Sequence, residues 1–376
     1  MNIQTENLFF ALLRAGLWGT YDGDERLTND IEWEALLKLA EEQTVSGVVS
    51  DGLALVKKAV PSLEVPANVT RRLMVQTIGI ERSNALVDSV VAEVCGILNK
   101  ARIRYCLIKG QGTALNYPHP NHRTPGDIDL LLDEENYRLA SNLLTPMAEK
   151  VLPEDPHKKH LGMMFRDGVE VELHGTARVG FGKKTNKVID KMQAEPLGGS
   201  DFRYWDCLGT KVTLPSADFD SVFIFLHFVQ HYYHGGLGLR QICDWMMHEY
   251  RHESEFDYGW MLCRILDLRM LKEWKAFASL AVKRLGTDPR IIAFYDPKRG
   301  KYSDIIWDSM KRSGNFGRKM CGHRDPQSEP YLIRKVRSLN GHLSWMGRHF
   351  RLNPGNTLRT IAGTLRSGFR GVVNGQ

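Results

Sequence analysis

Residues Arg123-Thr124-Pro125-Gly126-Asp127-Ile128-Asp129-Leu130-Leu131-Leu132-Asp133 read as a polar loop that turns directly into a strand. Side chains alternate faces along a strand, so Asp127 and Asp129 share one face while Ile128 and Leu130 enter the core. Two carboxylates ~7 Å apart on one face repel each other unless cations sit between them. Hard, oxygen-seeking Mg²⁺ suits such a pair, and two ions ~3.5–4 Å apart are what a two-metal phosphoryl-transfer site needs. Gly126 would let the backbone before the strand approach a phosphate closely. Exposed strands also alternate acidic and apolar residues, so the pair acquires meaning only from its neighbours.

Downstream, Val169-Glu170-Val171-Glu172-Leu173-His174 alternates in the same way. Glu170, Glu172 and His174 share a face, and an adjacent strand of this kind would add a third carboxylate to the metal site. Asp167-Gly168 before it is a two-residue hairpin signal, pairing His160–Arg166 with Val169–His174. Upstream, the apolar strand Ile103–Ile108 runs straight into Lys109-Gly110 and a short helix over Gln111–Asn116. A lysine and a small residue at a helix start attract phosphate through charge and backbone N–H groups. The chain holds no Walker A, GxGxxG, HExxH or GxSxG motif, which removes the usual competitors for phosphate, dinucleotide, zinc and serine chemistry.

The order LIKG, then a basic Pro-containing loop ending RTPGDIDLLL, then VELH, resembles the uncharacterised nucleotidyltransferase family of the DNA polymerase β-like superfamily. The resemblance covers the middle of the chain and reaches a Leu-Arg-x-x-x-Asp-Trp stretch, here Leu239, Arg240, Asp244 and Trp245. It implies that Asp127, Asp129 and Glu172 are the metal ligands and catalytic acids. Lys109 and Gly110 would form the phosphate-side turn, with Arg123 and Gly126 near the nucleotide and Arg240 and Asp244 facing the site. Two departures from better-studied branches stand out: Glu172 where many members carry Asp, and Lys-Gly where others carry Gly-Ser.

Outside the middle region the apolar residues recur with helical period. Glu6–Gly16, Ile31–Glu42 (capped by Asn29 or Asp30) and Ala67–Lys100 (opened by Pro66) read as helices. So do Glu134–Leu144, Asp218–His231, Leu239–His252 and one or two helices within Asp257–Leu285, whereas Asp296–Glu329 reads as a loop or linker. His227, His231 and His234 recur at i, i+4 and i+7, as structural histidines, as the lining of a cleft or as zinc ligands. His231, His234, Glu170, His174, Arg240 and Asp244 are thus candidate cleft residues. An Arg240–Asp244 pair at i, i+4 could equally brace its own helix. Trp205, Trp245 and Trp260 read as core.

Composition sets the outer limits. The 376 residues are 43% hydrophobic and 25% charged, as in globular proteins, which excludes wholesale disorder. No apolar run approaches a bilayer span, no secretion signal opens the chain, and six scattered cysteines without a CxxC point to a reducing compartment. The expected location is cytoplasmic. The net charge of +6 is unevenly placed: Tyr331–Gln376 holds eight basic residues and no acid. Leu332, Ile333, Val336 and Leu339 lie at helical spacing opposite Arg334, Lys335 and Arg337. Such a tail could meet an anionic surface, RNA or an acidic face of its own body.

These readings give an α+β protein: a helical region over 1–98, a small mixed-sheet nucleotidyltransferase core over 99–214, a helical region over 215–330 and a basic helical tail over 331–376. The expected activity is Mg²⁺-dependent transfer of an NMP from an NTP to an acceptor, with pyrophosphate released. Two ions are expected, with Mn²⁺ able to replace Mg²⁺, and the acceptor would be a small molecule, sugar, protein or RNA. The alternatives are an inactive nucleotide-binding module and an antitoxin-like interaction protein.

Overall fold

Val169–His174 buries Val169, Val171 and Leu173 and leaves Glu170, Glu172 and His174 half-buried, and the sheet is organised around it. The structure is a computed structural model and describes residues 1–23, 30–154, 160–179, 181–199, 201–234, 236–315 and 349–361. Helices α1 (Ile3–Trp18), α2 (Trp33–Glu42), α3 (Ser46–Ala59) and α4 (Ala67–Lys100) precede strand β1 (Cys106–Ile108). Then come α5 (Gly110–Ala114), β2 (Ile128–Leu131), α6 (Glu134–Leu144), β3 (Lys150–Val151), β4 (His160–Phe165) and β5 (Val169–His174). Helix α7 (Lys183–Gly198) and the hairpin β6 (Arg203–Cys207) and β7 (Thr210–Leu214) lead to α8 (Ala217–His234) and α9 (Leu239–His252). The last named helices are α10 (Tyr258–Leu268), α11 (Leu271–Leu285) and α12 (Lys301–Ser313). The protein is α+β, a small mixed sheet flanked by helices.

The sheet runs β1-β2-β5-β4-β3, with β2 and β5 parallel and every other neighbouring pair antiparallel. One face is apolar. Ile128, Leu130, Val169, Val171 and Leu173 pack there with Val90, Val91, Val94 and Leu98 of α4, Ala140 and Leu144 of α6 and Val212 of β7. Each such side chain contributes roughly 1.5–3 kcal/mol when fully buried, which holds the register of every strand. Since side chains alternate, the acids emerge on the opposite face, toward α8 and α9. There Cys106, Ile108 and Leu131 join a second core shared by the N-terminal and C-terminal helices.

Several expectations are corrected by tertiary packing. The β4–β5 turn pairs Phe165 with Val169 across Arg166-Asp167-Gly168, with Asp167 and Gly168 at φ 55° and 77°; the turn is one residue longer than a two-residue loop. Asp30 does not cap α2, which begins after Glu32, whose backbone N–H donates to Thr5 Oγ1; Asn29 lies outside the described residues. Helix α12 occupies part of the expected Asp296–Glu329 linker. Ile306, Trp307 and Met310 form a buried stripe there, and Glu6 of α1 accepts from Trp307 Nε1 at 2.8 Å and Lys311 Nζ at 2.9 Å. Helix α3 was not anticipated. It crosses α1 so closely that a Cβ on Gly52 would fall 1.7 Å from the Leu12 carbonyl oxygen.

Of the basic tail, residues 331–348 and 362–376 lie outside the described residues, including the stripe from Leu332 to Leu339. Residues 349–361 pack onto the body: buried Glu273 accepts from Tyr233 Oη, Asn353 Nδ2 and Asn356 Nδ2. Among the described residues no helix is long and apolar enough to cross a membrane.

Candidate active site

Strand β2 delivers Asp129 and β5 delivers Glu172, and the two are direct partners in the parallel ladder. Asp127 immediately precedes β2. One carboxylate oxygen from each of Asp127, Asp129 and Glu172 lies within 4.8 Å of the others, with Asp129 buried, Glu172 half-buried and Asp127 exposed. Repulsion by Asp129 raises the Asp127 carboxyl above its ordinary range. Burial, Glu172 and Asp127 raise Glu170 likewise. An all-oxygen donor set with excess negative charge fits a hard divalent cation such as Mg²⁺.

Two cationic groups meet the acids. Lys109 Nζ lies 3.1 Å from Asp129 Oδ1, and His174 Nε2 lies 2.7 Å from the same oxygen. Burial alone would raise the Asp129 carboxyl, but Lys109 and His174 overcome it and hold it down. Glu172 behaves similarly: burial opposes ionisation, while the adjacent His160 and His174 imidazoles favour it. Burial disfavours the His174 cation, yet Asp129 and Glu172 lift its pKa to about 9.

The Lys109-Gly110 turn is tightly constrained. Lys109 sits at φ 60°, ψ −150°, a region costing of order 1–3 kcal/mol for a residue with a side chain. Gly110 follows at φ 49°, where a Cβ would stand 3.2 Å from the Asp127 carbonyl oxygen. Contacts at the far end of the side chain hold Lys109 there, with Nζ donating to Asp129 and standing 3.1 Å from His227 Nε2. Burial and the Lys109 charge push the His227 pKa well below its ordinary value, so its ring is neutral and accepts.

The loop before β2 is fastened to α9. Arg123 donates from Nε and Nη2 to the two oxygens of Asp244, at 2.7 and 2.8 Å, and Tyr117 Oη donates to Asp244 Oδ1 at 2.7 Å. Arg240 Nη1 donates to the carbonyls of Thr124 and Pro125. Asp244 therefore pairs across the chain with Arg123, while Arg240 ties down the loop. Arg123 and Arg240 still border the cleft, but the Arg123 guanidinium is engaged by Asp244. A Cβ on Gly126 would stand 3.9 Å from the Arg240 guanidinium, in ordinary van der Waals contact.

The resulting cleft, about 360 Å³, is bordered by Lys109, Gly110, Asp127, Asp129, Glu172 and His174 on the sheet side and by His227, His231 and Arg240 on the helix side. His231 Nε2 lies 3.3 Å from His227 Nε2, and burial lowers the His231 pKa to about 4. His234 instead packs beside Phe181, with ring centroids 6.3 Å apart, and Glu170 lies along β5 beside Gly162. Sequence reasoning did not single out His160, which the β4–β5 register places opposite His174. The signal was available in the hairpin, because a three-residue turn pairs those two histidines.

Among solved structures the chain is similar to an antigenic nucleotidyltransferase-like protein from Paracoccidioides brasiliensis, at 18% identity and a TM-score of 0.37, over 56% of this chain and 94% of that one. Comparison with curated proteins finds no match. Residues 29–286, well over half of the sequence, match the family described as "Uncharacterised nucleotidyltransferase", and they contain every acid and cation of the cleft. The chain belongs to the uncharacterised nucleotidyltransferase family.

Proposed function

We propose that the protein transfers a nucleotidyl group from a nucleoside triphosphate to an acceptor. The observation that carries this reading is the register match of Asp129 with Glu172, which gathers three carboxylates beside Lys109. An acceptor oxygen would attack the α-phosphorus, forming a new P–O bond. The bond from that phosphorus to the bridging oxygen would break, and pyrophosphate would leave. Two Mg²⁺ ions, or Mn²⁺ in their place, held by Asp127, Asp129 and Glu172 would supply charge that lowers the acceptor's pKa and offsets the triphosphate.

The remaining work falls to the chain itself. His174 holds a proton between Asp129 and Glu172 and so fixes the spacing of the two strands' carboxylates. Lys109 and Gly110 bring positive charge and a close-approaching backbone to the cleft, the side on which a triphosphate would lie. Arg123 acts through Asp244 as a positioning residue: the pair holds the loop that presents Asp127. The acceptor is a small molecule, sugar, protein or RNA bearing a nucleophilic oxygen.

The test is pyrophosphate release from each of the four ribonucleoside triphosphates with Mg²⁺ or Mn²⁺, comparing wild type with Asp127→Ala. Release that depends on the metal and vanishes in the variant supports the reading. Equal rates in the two proteins contradict it.

A further inference from the structure

His160 takes no part in the transfer just described, yet its ring faces the same acids. It stands directly opposite His174 across β4 and β5, and the two rings stack with centroids 4.8 Å apart and planes 27° from parallel. His160 Nε2 lies 3.0 Å from Glu172 Oε2, and His174 Nε2 lies 3.2 Å from that same oxygen. Donor atoms of His160, Glu172 and His174 all lie within 4.8 Å of one another. His160 Nε2 is shielded from solvent, and despite its short distance to Glu172 it makes no hydrogen bond of proper direction.

We infer that His160, Glu172 and His174 form a second cation site, for a divalent transition-metal ion of the Zn²⁺ class, flanking the carboxylate site and sharing Glu172 with it. Two imidazole nitrogens and one carboxylate oxygen are a borderline-soft set, which Zn²⁺ and Co²⁺ accept and Mg²⁺ does not favour. Tetrahedral bonds of ~2.0–2.1 Å place neighbouring donor atoms roughly 3.3 Å apart. The observed 3.0 and 3.2 Å separations are close to that spacing. Two histidines and a glutamate also leave a fourth position for water or a phosphate oxygen. Sharing Glu172 couples the two sites, so an ion of this class draws that carboxylate away from the all-oxygen site.

The site shares Glu172 with the proposed transfer, and an ion bound there displaces the proton His174 Nε2 otherwise holds against Asp129 and Glu172, but Asp127 belongs to the carboxylate site alone, so its variant tells the two apart. The test is a Co²⁺ titration of the metal-free full-length protein, followed by visible absorption. One equivalent should give the intense bands of nitrogen-ligated, four-coordinate cobalt, and an excess of Mg²⁺ should leave them in place. His160→Ala should weaken binding at least about tenfold, as should His160→Gln, which keeps the side chain's bulk. Asp127→Ala should leave the spectrum and affinity within about twofold of wild type, whether or not pyrophosphate release is ever found. Absence of the bands in wild type, wild-type affinity in the two His160 variants, or loss of the bands in Asp127→Ala would overturn the assignment.

Discussion

Asp129 and Glu172 project side by side from neighbouring parallel strands, each the direct partner of the other in the ladder. A slip of one residue between β2 and β5 would turn Glu172 into the apolar core and bring Val171 or Leu173 to the cleft. The burial of Val171 and Leu173 against α4 and α6 therefore sets the geometry of the acids.

The two aspartates should separate catalysis from stability. Asp127 is exposed and sits in a field of like charge, so Asp127→Ala should keep or slightly raise the melting temperature. It should lower pyrophosphate release by more than about a hundredfold, exceeding the loss of an outer partner of a metal ligand. Asp129 is 1% exposed and pairs with Lys109 and His174. Its replacement by Ala strands two half-buried cationic groups and should cost of order 3 kcal/mol in urea denaturation. Equal stability of the two variants would contradict this placement.

Arg123 and Asp244 form a buried bidentate pair, and removing one partner leaves the other's charge buried without its counter-ion. Arg123→Ala and Asp244→Ala should each destabilise by ~3–5 kcal/mol. The double variant should cost clearly less than the two losses combined, as a double-mutant cycle in urea would show. Arg123→Lys should fail to restore stability, because an ammonium cannot reproduce the planar two-donor fork. Additive losses would argue against the pairing.

Lys109 competes with any cation for Asp129. Lys109→Met should therefore tighten Mg²⁺ binding several-fold in the absence of nucleotide, measured by isothermal titration calorimetry, while weakening triphosphate binding. Weaker Mg²⁺ binding in the variant would mean that Lys109 organises the acids instead of competing for them.

The parts legible in the sequence are those set by local pattern. The alternation of Asp127 to Leu130 and of Val169 to His174 identified both acid-bearing strands, and the limits of α6 and α9 followed from apolar spacing. What escaped depends on distant partners. Helix α12 is stabilised by the contact of Trp307 and Lys311 with Glu6, from the far end of the chain. Asp244 could be seen beside Arg240 on one helix turn, but Arg123 wins it because a buried guanidinium needs a two-oxygen acceptor. His160 was hidden because its position depends on a turn one residue longer than Asp167-Gly168 alone suggests.

Glu249 provides a pH signature away from the cleft. Burial raises its carboxyl from 4.5 to about 8, and Ser221 Oγ donates to it. Between those values the unfolded chain releases a proton that the folded protein keeps, so stability falls as pH rises. Below about 4.5 both states are protonated and the contribution is intact; above about 8 both are ionised and the loss is complete. Asp220, raised to about 7 by burial, acts in the same sense. Glu249→Gln should remove its share, at ~1.4 kcal/mol per pH unit of difference at most. The melting temperature of the variant relative to wild type should then climb by several degrees between pH ~5 and ~8. A difference independent of pH would contradict a buried neutral Glu249.

The central claim is that the bond made is to the α-phosphorus. The most direct measurement incubates the protein with Mg²⁺, a cell extract as the source of acceptor, and nucleoside triphosphates labelled at either the α- or the γ-phosphate. The account predicts that α-label becomes attached to an acceptor while γ-label leaves as pyrophosphate, and that both events disappear in Asp127→Ala. Transfer of the γ-label to the acceptor, with the nucleoside diphosphate released, would contradict it.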